Sequence, residues 1–173
     1  MGGWVTRLWW GGDPDSPHPA SGLSRRDVYL VKRQWKAIYA NVIPNGVELF
    51  KRYFRAHPDA KRFFIFVSKL REDDYDTSAQ FKAHVLNLMG ALNAAVEHLH
   101  EPDVAAALMA KVGESHRRRS IKKQNFYDMK DVFLKMLAEV TESDQVALQS
   151  WGRAVDFLFG SILTTLEPDP AAA

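Results

Sequence analysis

The sequence predicts an all-α domain, and three observations point to this fold class. From about residue 24 to residue 166, apolar residues recur at spacings of three and four, and no stretch alternates with the period of two typical of a half-buried strand. Residues that start or cap helices precede several of these apolar runs. Short polar breaks separate the runs. We therefore expect seven or eight helices, with one layer packed on another.

The first two helices are predicted from their starts and their apolar faces. Ser24 and Asp27 can form a capping box at the start of the first helix. The second helix is expected to begin around Pro44, because proline suits the first turn. A short helical turn should end at Phe63-Phe64, and residues 68–78 read as a connector with room for one helical turn. The apolar faces comprise Val28, Val31, Trp35 and Ile38 in the first helix, and Val47, Phe50, Tyr53 and Phe54 in the second.

Four further helices are predicted in the second half of the chain. One runs from about 77 to 99, and the next is opened by Pro102 and weakened by Gly113. Two long helices cover about 125–140 and 142–166, the last with a capping box at 141–144. The third helix has the apolar stripe Phe81, Val85, Leu88, Leu92, Val96 and Leu99, and the fourth has Ala105, Leu108, Met109 and Val112.

Composition divides the chain into three regions. Residues 1–22 are rich in Gly, Pro and Trp and have no sustained period, which predicts a flexible N-terminal extension. Residues 23–167 form the helical domain, and residues 168–173 read as a disordered tail. A single domain of this length can bury a substantial core.

The composition also excludes several kinds of site. The chain has no cysteine, which excludes disulfides, zinc fingers, iron–sulfur clusters and thiolate-ligated haem. A net charge of +2 is too small to indicate nucleic-acid binding. No apolar run approaches the roughly 18 residues of a membrane-spanning helix, and the N-terminus lacks the apolar core of a signal peptide. We expect a cytoplasmic protein.

Two histidines, His84 and His116, lie in the third and fourth predicted helices. His84 lies at the edge of an apolar stripe, and His116 follows Val112 by one turn on the same face. The break at residues 100–103 lets the two helices fold back on one another. Two imidazoles facing each other across such a gap can hold a flat iron cofactor. The alternative is a pair of hydrogen-bonded histidines in a helical domain without this chemistry.

Over about 145 of the 173 positions, the ordered motifs resemble the globin family. The run LFKRYFRAHPDAKRFF is similar to the family's second and third helices, FKAHVLNLMGAL to the distal helix and VGESH to the proximal segment. Trp35, Gly46 and Pro58 also match family positions. Within the family, MGALNAAVEHLHEPD resembles cytoglobin, and the long N-terminal extension resembles the membrane-associated globin X group. The resemblance implies a globin fold around a haem b pocket.

The resemblance also implies the roles of individual residues. His116 would be the proximal iron ligand, oriented by Ser115 or by the carbonyl group of Val112. His84 would be the distal histidine, which either donates a hydrogen bond to bound dioxygen or binds the iron itself; we favour direct binding. Phe64 would pack on the haem, and at least one of Arg117, Arg118 and Arg119 would meet a haem propionate. The expected haem-contacting residues are Phe50, Phe64, Leu88, Val112, Phe126 and Arg119.

Three features depart from the family pattern. Phe50 stands where many oxygen-storage globins have leucine, and Leu88 is bulkier than the valine common at its position. The segment after His116, RRRSIKKQNF, is one residue shorter than in the vertebrate pattern. Phe50 and Leu88 together predict a tight distal pocket.

The function implied is that of a haem b globin, six-coordinate at rest, which binds O₂, NO and CO reversibly and acts in redox or NO-related chemistry or signalling. One alternative is a five-coordinate oxygen carrier or store. Another is an enzyme, a nitrite reductase or NO dioxygenase, that requires a reductase partner.

The N-terminus carries a separate motif. Met1-Gly2-Gly3-Trp4-Val5-Thr6 fits the pattern for myristoylation at Gly2. One acyl chain binds membranes only marginally, so a second signal is needed. No cysteine is available for palmitoylation, whereas tryptophan favours the membrane interface. Lipidation would place the protein on the inner face of the plasma membrane, with a second signal from Trp4, Arg7, Leu8, Trp9 and Trp10.

Overall fold

The computed structural model describes residue 10, residues 12–140 and residues 145–167. In this part of the chain it contains six α-helices and two short 3₁₀ helices and no strand, so the all-α prediction of seven or eight helices is confirmed. The α-helices are α1 (Arg25–Ala40), α2 (Val42–Ala56), α3 (Ala79–Glu97), α4 (Pro102–Arg117), α5 (Lys123–Val140) and α6 (Gln145–Leu166), and the 3₁₀ helices are Pro58–Phe63 and Glu72–Asp74.

The predicted helix boundaries agree with the structure to within about three residues at each end. α2 begins at Val42, two residues before Pro44. Pro44 thus lies in the first turn, where backbone N–H groups have no intrahelical acceptor. Ser78 caps α3 by accepting a hydrogen bond from the Phe81 N–H group at 3.3 Å, and α4 begins at Pro102 as predicted. The predicted capping box at 141–144 lies outside the described residues.

The predicted capping box of α1 is confirmed, and its carboxylate also binds α6. The Ser24 hydroxyl accepts from the Asp27 N–H group at 3.1 Å, and the Asp27 carboxylate accepts from the Ser24 N–H group at 2.9 Å. The same carboxylate accepts from the Ser150 hydroxyl at 2.7 Å and from the Arg153 guanidinium at 2.5 Å. Burial alone would raise the pKa of Asp27, but hydrogen bonds from Arg153, Ser150 and Ser24 hold it well below its usual range.

Two tryptophans join α1 to the layers on either side. Trp35 and Trp151 are each 1 % exposed, and their ring centroids are 6.1 Å apart. The Trp35 indole donates to the Asn93 side chain on α3 at 2.9 Å, and the Trp151 indole donates to the Gln34 side chain at 2.7 Å. Both indole N–H groups are therefore satisfied inside the core. The pair holds α1 against α3 and α6.

Two glycines allow helices to approach closely. A Cβ atom on Gly46 would lie 2.4 Å from Val85 Cγ1, so α2 crosses α3 where only hydrogen fits. A Cβ atom on Gly113 would lie 2.2 Å from the Ile162 carbonyl oxygen of α6. The sequence suggested only that Gly113 weakens α4. In the structure the absent side chain also lets α4 and α6 pack together.

The second half of the N-terminal extension contacts the start of α1. The Arg26 side chain forms an ion pair with Asp15 at 2.6 Å, and the Arg26 N–H group donates to the Pro14 carbonyl at 3.0 Å. The Trp10 ring meets the Tyr29 ring edge-on at a centroid distance of 5.5 Å. Residues 1–9, and with them Gly2, lie outside the described residues, as does the tail at 168–173. Within the described ranges, none of the helices has the length and apolar character needed to cross a membrane.

The close approach at Gly113 generates the first prediction. We expect Gly113→Ala to lower the free energy of unfolding by about 1–3 kcal/mol, because the new methyl group must push α4 away from a backbone carbonyl. Gly90→Ala in α3 is the control, since nothing lies within 4 Å of its added Cβ. This control substitution should raise the free energy of unfolding by about 0.5–1 kcal/mol, because it reduces the conformational entropy of the unfolded chain. Urea unfolding measures both; equal effects would contradict the packing argument.

The Asp27 cluster generates the second prediction. At pH 7 we expect Asp27→Asn to lower the free energy of unfolding by about 2 kcal/mol, less than for a fully buried ion pair because Arg153 is half-exposed. Because folding depresses the pKa of Asp27, its stabilisation is present above the unfolded pKa, about 3.9, and is lost as the pH falls below that value.

Urea unfolding curves measured between pH 7 and pH 3 test this dependence. The difference in the free energy of unfolding between the wild type and Asp27→Asn should become smaller as the pH falls below about 4. Asp15→Asn removes an exposed ion pair and should leave stability nearly unchanged. A gap that stays constant with pH would show that the ionised carboxylate does not stabilise the fold.

Candidate cofactor site

One cavity of about 210 Å³ brings the two histidines together. Its walls come from α2, α3, α4, α5, α6, the first 3₁₀ helix and the loop before α5. Most of the lining side chains are apolar, which suits a hydrophobic ligand held by a few polar groups. The lining residues are Phe50, Tyr53, Phe63, Phe64, His84, Asn87, Leu88, Ala91, Leu92, Met109, Val112, Ser115, His116, Ile121, Asn125, Phe126, Met129, Phe159 and Ile162.

His116 lies in the last turn of α4, and backbone and side-chain groups of that helix fix its ring. Its Nδ1 atom is 2.8 Å from the Val112 carbonyl oxygen and 3.1 Å from the Ser115 hydroxyl. Because a carbonyl can only accept, the neutral ring must carry its proton on Nδ1. The lone pair is then on Nε2, the nitrogen left for a metal ion. Both groups that the sequence suggested as orienting partners are therefore in contact with the ring.

His84 has different surroundings. Its ring centroid is 5.2 Å from that of Phe50, 5.1 Å from that of Phe64 and 5.8 Å from that of Phe66. Among the described residues, none forms a hydrogen bond with the His84 ring. Three aromatic rings thus restrict the imidazole sterically, whereas its nitrogens remain available to a ligand in the cavity.

The pKa values of both histidines are depressed. Burial lowers the pKa of His84 to about 4, and the nearby charges of His116 and Arg119 act in the same direction. Burial also lowers the pKa of His116, partly offset by its hydrogen bond to the Val112 carbonyl. Near pH 7 both imidazoles are therefore neutral, which is the form that binds metal ions.

The residues predicted to contact a cofactor divide into two groups. Phe50, Phe64, Leu88, Val112 and Phe126 all line the cavity. The Phe126 ring meets the His116 ring edge-on at 5.2 Å. Arg119 does not line the cavity. It is exposed, and its guanidinium donates to the Ser115 carbonyl at 2.8 Å.

Several lining residues were not singled out from the sequence. Asn87 follows His84 by three positions and thus shares its helix face, so spacing alone could have found it. Ile121 belongs to the loop before α5, where no period predicts which side chain points inward. Phe159 and Ile162 on α6 have the spacing of ordinary core residues, and only the packing of α6 shows that they face the cavity.

A second, open depression lies on the other side of His84. It is lined by Ile65, Phe66, Lys69, Gln80 and Ala83, and shares His84 and Asn87 with the enclosed cavity. Ile65 is 81 % exposed, so this depression faces solvent. The His84 side chain therefore separates the cavity from the outside.

The family follows from comparison with known proteins. The family model described as Globin matches residues 47–162, which are about two-thirds of the chain and include every residue named above as lining the cavity. The chain belongs to the globin family. This globin is 28 % identical to cytoglobin-2 of Oryzias latipes over 127 aligned residues. The alignment covers 72 % of this chain and 71 % of the relative. It is also 28 % identical over 116 residues to neuroglobin of Chaenocephalus aceratus, covering 66 % of this chain and 73 % of the relative.

Solved structures agree on the fold. The hexa-coordinate haemoglobin of Drosophila melanogaster superposes with a TM-score of 0.79 at 20 % identity, covering 85 % of this globin and 97 % of that chain. A hexacoordinated haem protein from an anhydrobiotic tardigrade has the same TM-score at 18 % identity. That superposition covers 86 % of this globin and 98 % of the tardigrade chain. At such identities the superpositions establish the globin fold alone. Six-coordination is a property of those two proteins.

Proposed function

We propose that this globin binds haem b in the cavity and holds its iron through His116. The observation that carries the proposal is the pair of neutral imidazoles, presented by two different helices to one apolar cavity. The bond from His116 Nδ1 to the Val112 carbonyl fits this role, because it leaves Nε2 for the metal and increases the basicity of the ring. The residues present therefore fit a flat, hydrophobic iron cofactor.

The cavity walls would hold the haem by packing and by charge. Phe64 and Leu88 lie on the His84 side, and Val112 and Phe126 lie on the His116 side. Arg119 would pair with a haem propionate, for which its guanidinium must leave the Ser115 carbonyl. Bound haem would supply an iron that takes up O₂, NO or CO and changes between the ferrous and ferric states.

We infer that His84 binds the iron at rest, so that the site is six-coordinate. Its unbonded ring nitrogens, its low proton affinity and its position between the cavity and solvent support this role. An external gas would bind only after His84 leaves the iron. The apparent dissociation constant then equals the intrinsic constant divided by the fraction of open sites. Redox or NO-related chemistry would suit such a site, because electron exchange would need little rearrangement if His84 and His116 both stayed bound.

The absorption spectrum of the deoxygenated ferrous protein tests the coordination. We expect sharp, resolved visible bands in the wild type and a single broad band in His84→Leu. A broad band in the wild type would instead assign a five-coordinate oxygen carrier or store. Failure to bind haem after its addition to the folded protein would refute the haem proposal altogether. His116→Gly should lose the proximal ligand, with imidazole restoring the spectrum.

Carbon monoxide binding tests the displacement of His84. If departure of His84 limits the reaction, His84→Leu should bind CO at least about tenfold faster in stopped-flow experiments. His100→Leu is the matched control, because His100 is exposed and lies outside the cavity. It should bind CO at the wild-type rate. An unchanged rate in His84→Leu would contradict displacement.

We also propose that Gly2 is myristoylated and that the extension brings the globin to the inner face of the plasma membrane. The support is the N-terminal motif and the neighbouring tryptophans. In cells, Gly2→Ala should move the protein from the membrane fraction to the soluble fraction, whereas Gly3→Ala should not. Equal distribution of Gly2→Ala and the wild type would refute lipidation as the anchor.

A further inference from the structure

The short segment between α4 and α5 carries an unusual concentration of positive charge. Five of the seven residues from Arg117 to Lys123 are arginine or lysine, although the whole chain has a net charge of only +2. We propose that this segment, the basic loop, is a docking surface for the acidic face of an electron-donating protein. The inference rests on the proposed haem site and names the kind of partner that would reduce it.

Most of this charge has no acidic partner among the residues that the structure describes. Lys123 lies 3.6 Å from the carboxylate of Glu167, and Arg119 donates to a backbone carbonyl. Arg117, Arg118 and Lys122 have no carboxylate within 4 Å among the described residues. All three are exposed. A basic cluster of this kind attracts an oppositely charged surface and accelerates its encounter with the protein.

The basic loop is also part of the cavity wall. Ser115 and His116 line the cavity immediately before it, Ile121 lines the cavity from within it, and Asn125 does so just after it. Ser120 adopts a left-handed backbone conformation, with φ of 58°, that closes the turn. The charged residues therefore adjoin, along the chain, residues that line one edge of the cavity. A protein docked on them would lie beside the proposed cofactor rather than elsewhere on the surface.

The shape of the basic loop favours a protein face over a small anion. Its cationic side chains are exposed or half-buried, and none of them lines the enclosed cavity or the open depression beside His84. A compact polyphosphate would instead require an enclosed set of donors. Such an exposed patch is suited to long-range steering of a macromolecule, with individual ion pairs that contribute little each.

The position of the basic loop also argues against the membrane as its partner. The described part of the N-terminal extension lies at the start of α1, which Asp27 joins to Arg153 of α6. The basic loop reaches the chain just past the end of α6, where Lys123 pairs with Glu167, fourteen residues beyond Arg153. At 1.5 Å per residue these points are about 20 Å apart. The extension and the basic loop therefore lie beside different parts of the molecule.

Docking would support a single-electron reaction. The reduced partner would give up one electron, which bound haem would take up in passing from the ferric to the ferrous state; the balance requires no proton. The basic loop contributes no redox group of its own. It acts by raising the rate at which a productive complex forms.

The test measures reduction of the ferric holoprotein by a reduced acidic [2Fe–2S] ferredoxin. This probe is a strong one-electron reductant, which can drive the reaction. The rate constant is measured by stopped flow over a range of ionic strengths. The loop variant Arg118→Glu/Lys122→Glu is compared with Lys36→Glu/Lys135→Glu, which has the same change in charge at exposed positions on α1 and α5.

We expect the loop variant to react at least about tenfold more slowly at low salt and to lose most of its dependence on ionic strength. The control variant should stay within about twofold of the wild type. Dithionite, a small reductant, should reduce all three proteins at similar rates. Similar rates would show that the haem site itself is intact in each variant.

Three outcomes would overturn the proposal. Equal slowing in both variants would mean that only net charge matters, and unchanged rates in the loop variant would mean that ferredoxin docks elsewhere. Loss of binding to phosphatidylserine vesicles with no change in the ferredoxin rate would assign the basic loop to a membrane. Failure of the haem proposal is visible separately, because no variant would then show a haem spectrum.

Discussion

The contact between α4 and α6 at Gly113 is the constraint on which the site depends. A single absent methyl group lets the backbone of α4 approach the Ile162 carbonyl of α6. Gly113 lies three residues before His116, so the same contact fixes the depth of that imidazole in the cavity. Ile162 itself lines the cavity, and Phe159 on the same helix lies beneath Phe126 with their rings 6.4 Å apart. The His116 side of the cavity is thus held by a helix that carries neither histidine.

The two histidines are held by different physical means, which gives them different freedom. Hydrogen bonds to its own helix orient His116, and a bond of this kind specifies both the tautomer and the direction of the ring. His84 is restricted by the packing of aromatic rings, and no described residue forms a hydrogen bond with it. Packing restricts a side chain without selecting one nitrogen or one angle. An imidazole that must bind and leave an iron suits the second arrangement, and a permanent ligand suits the first.

Much of the fold could be predicted from local signals, because those signals are also local in the structure. Ser24 and Asp27 are three residues apart, and Pro102 starts its helix through its own ring geometry. The inward faces of α3 and α4 follow from the helical period. In α3, however, Met89 rather than the predicted Leu88 is fully buried, and Leu88 is half-buried and lines the cavity. The bond from Arg153 to Asp27 spans 126 residues, and no pattern in the sequence indicates it. The same holds for Phe159 and Ile121, whose inward directions depend on how distant helices pack.

The N-terminal extension is attached to α1. If the first residues of the chain were bound to another structure, this attachment would limit the distance between that structure and the globin domain. The Asp15–Arg26 ion pair and the contact of Trp10 with Tyr29 fix the chain at residue 10. Only eight residue steps separate Gly2 from Trp10, and a fully extended chain of that length spans at most about 28 Å. An acyl chain at Gly2 would therefore act as a short tether. It would keep the start of α1 close to the bilayer and give the domain a preferred orientation.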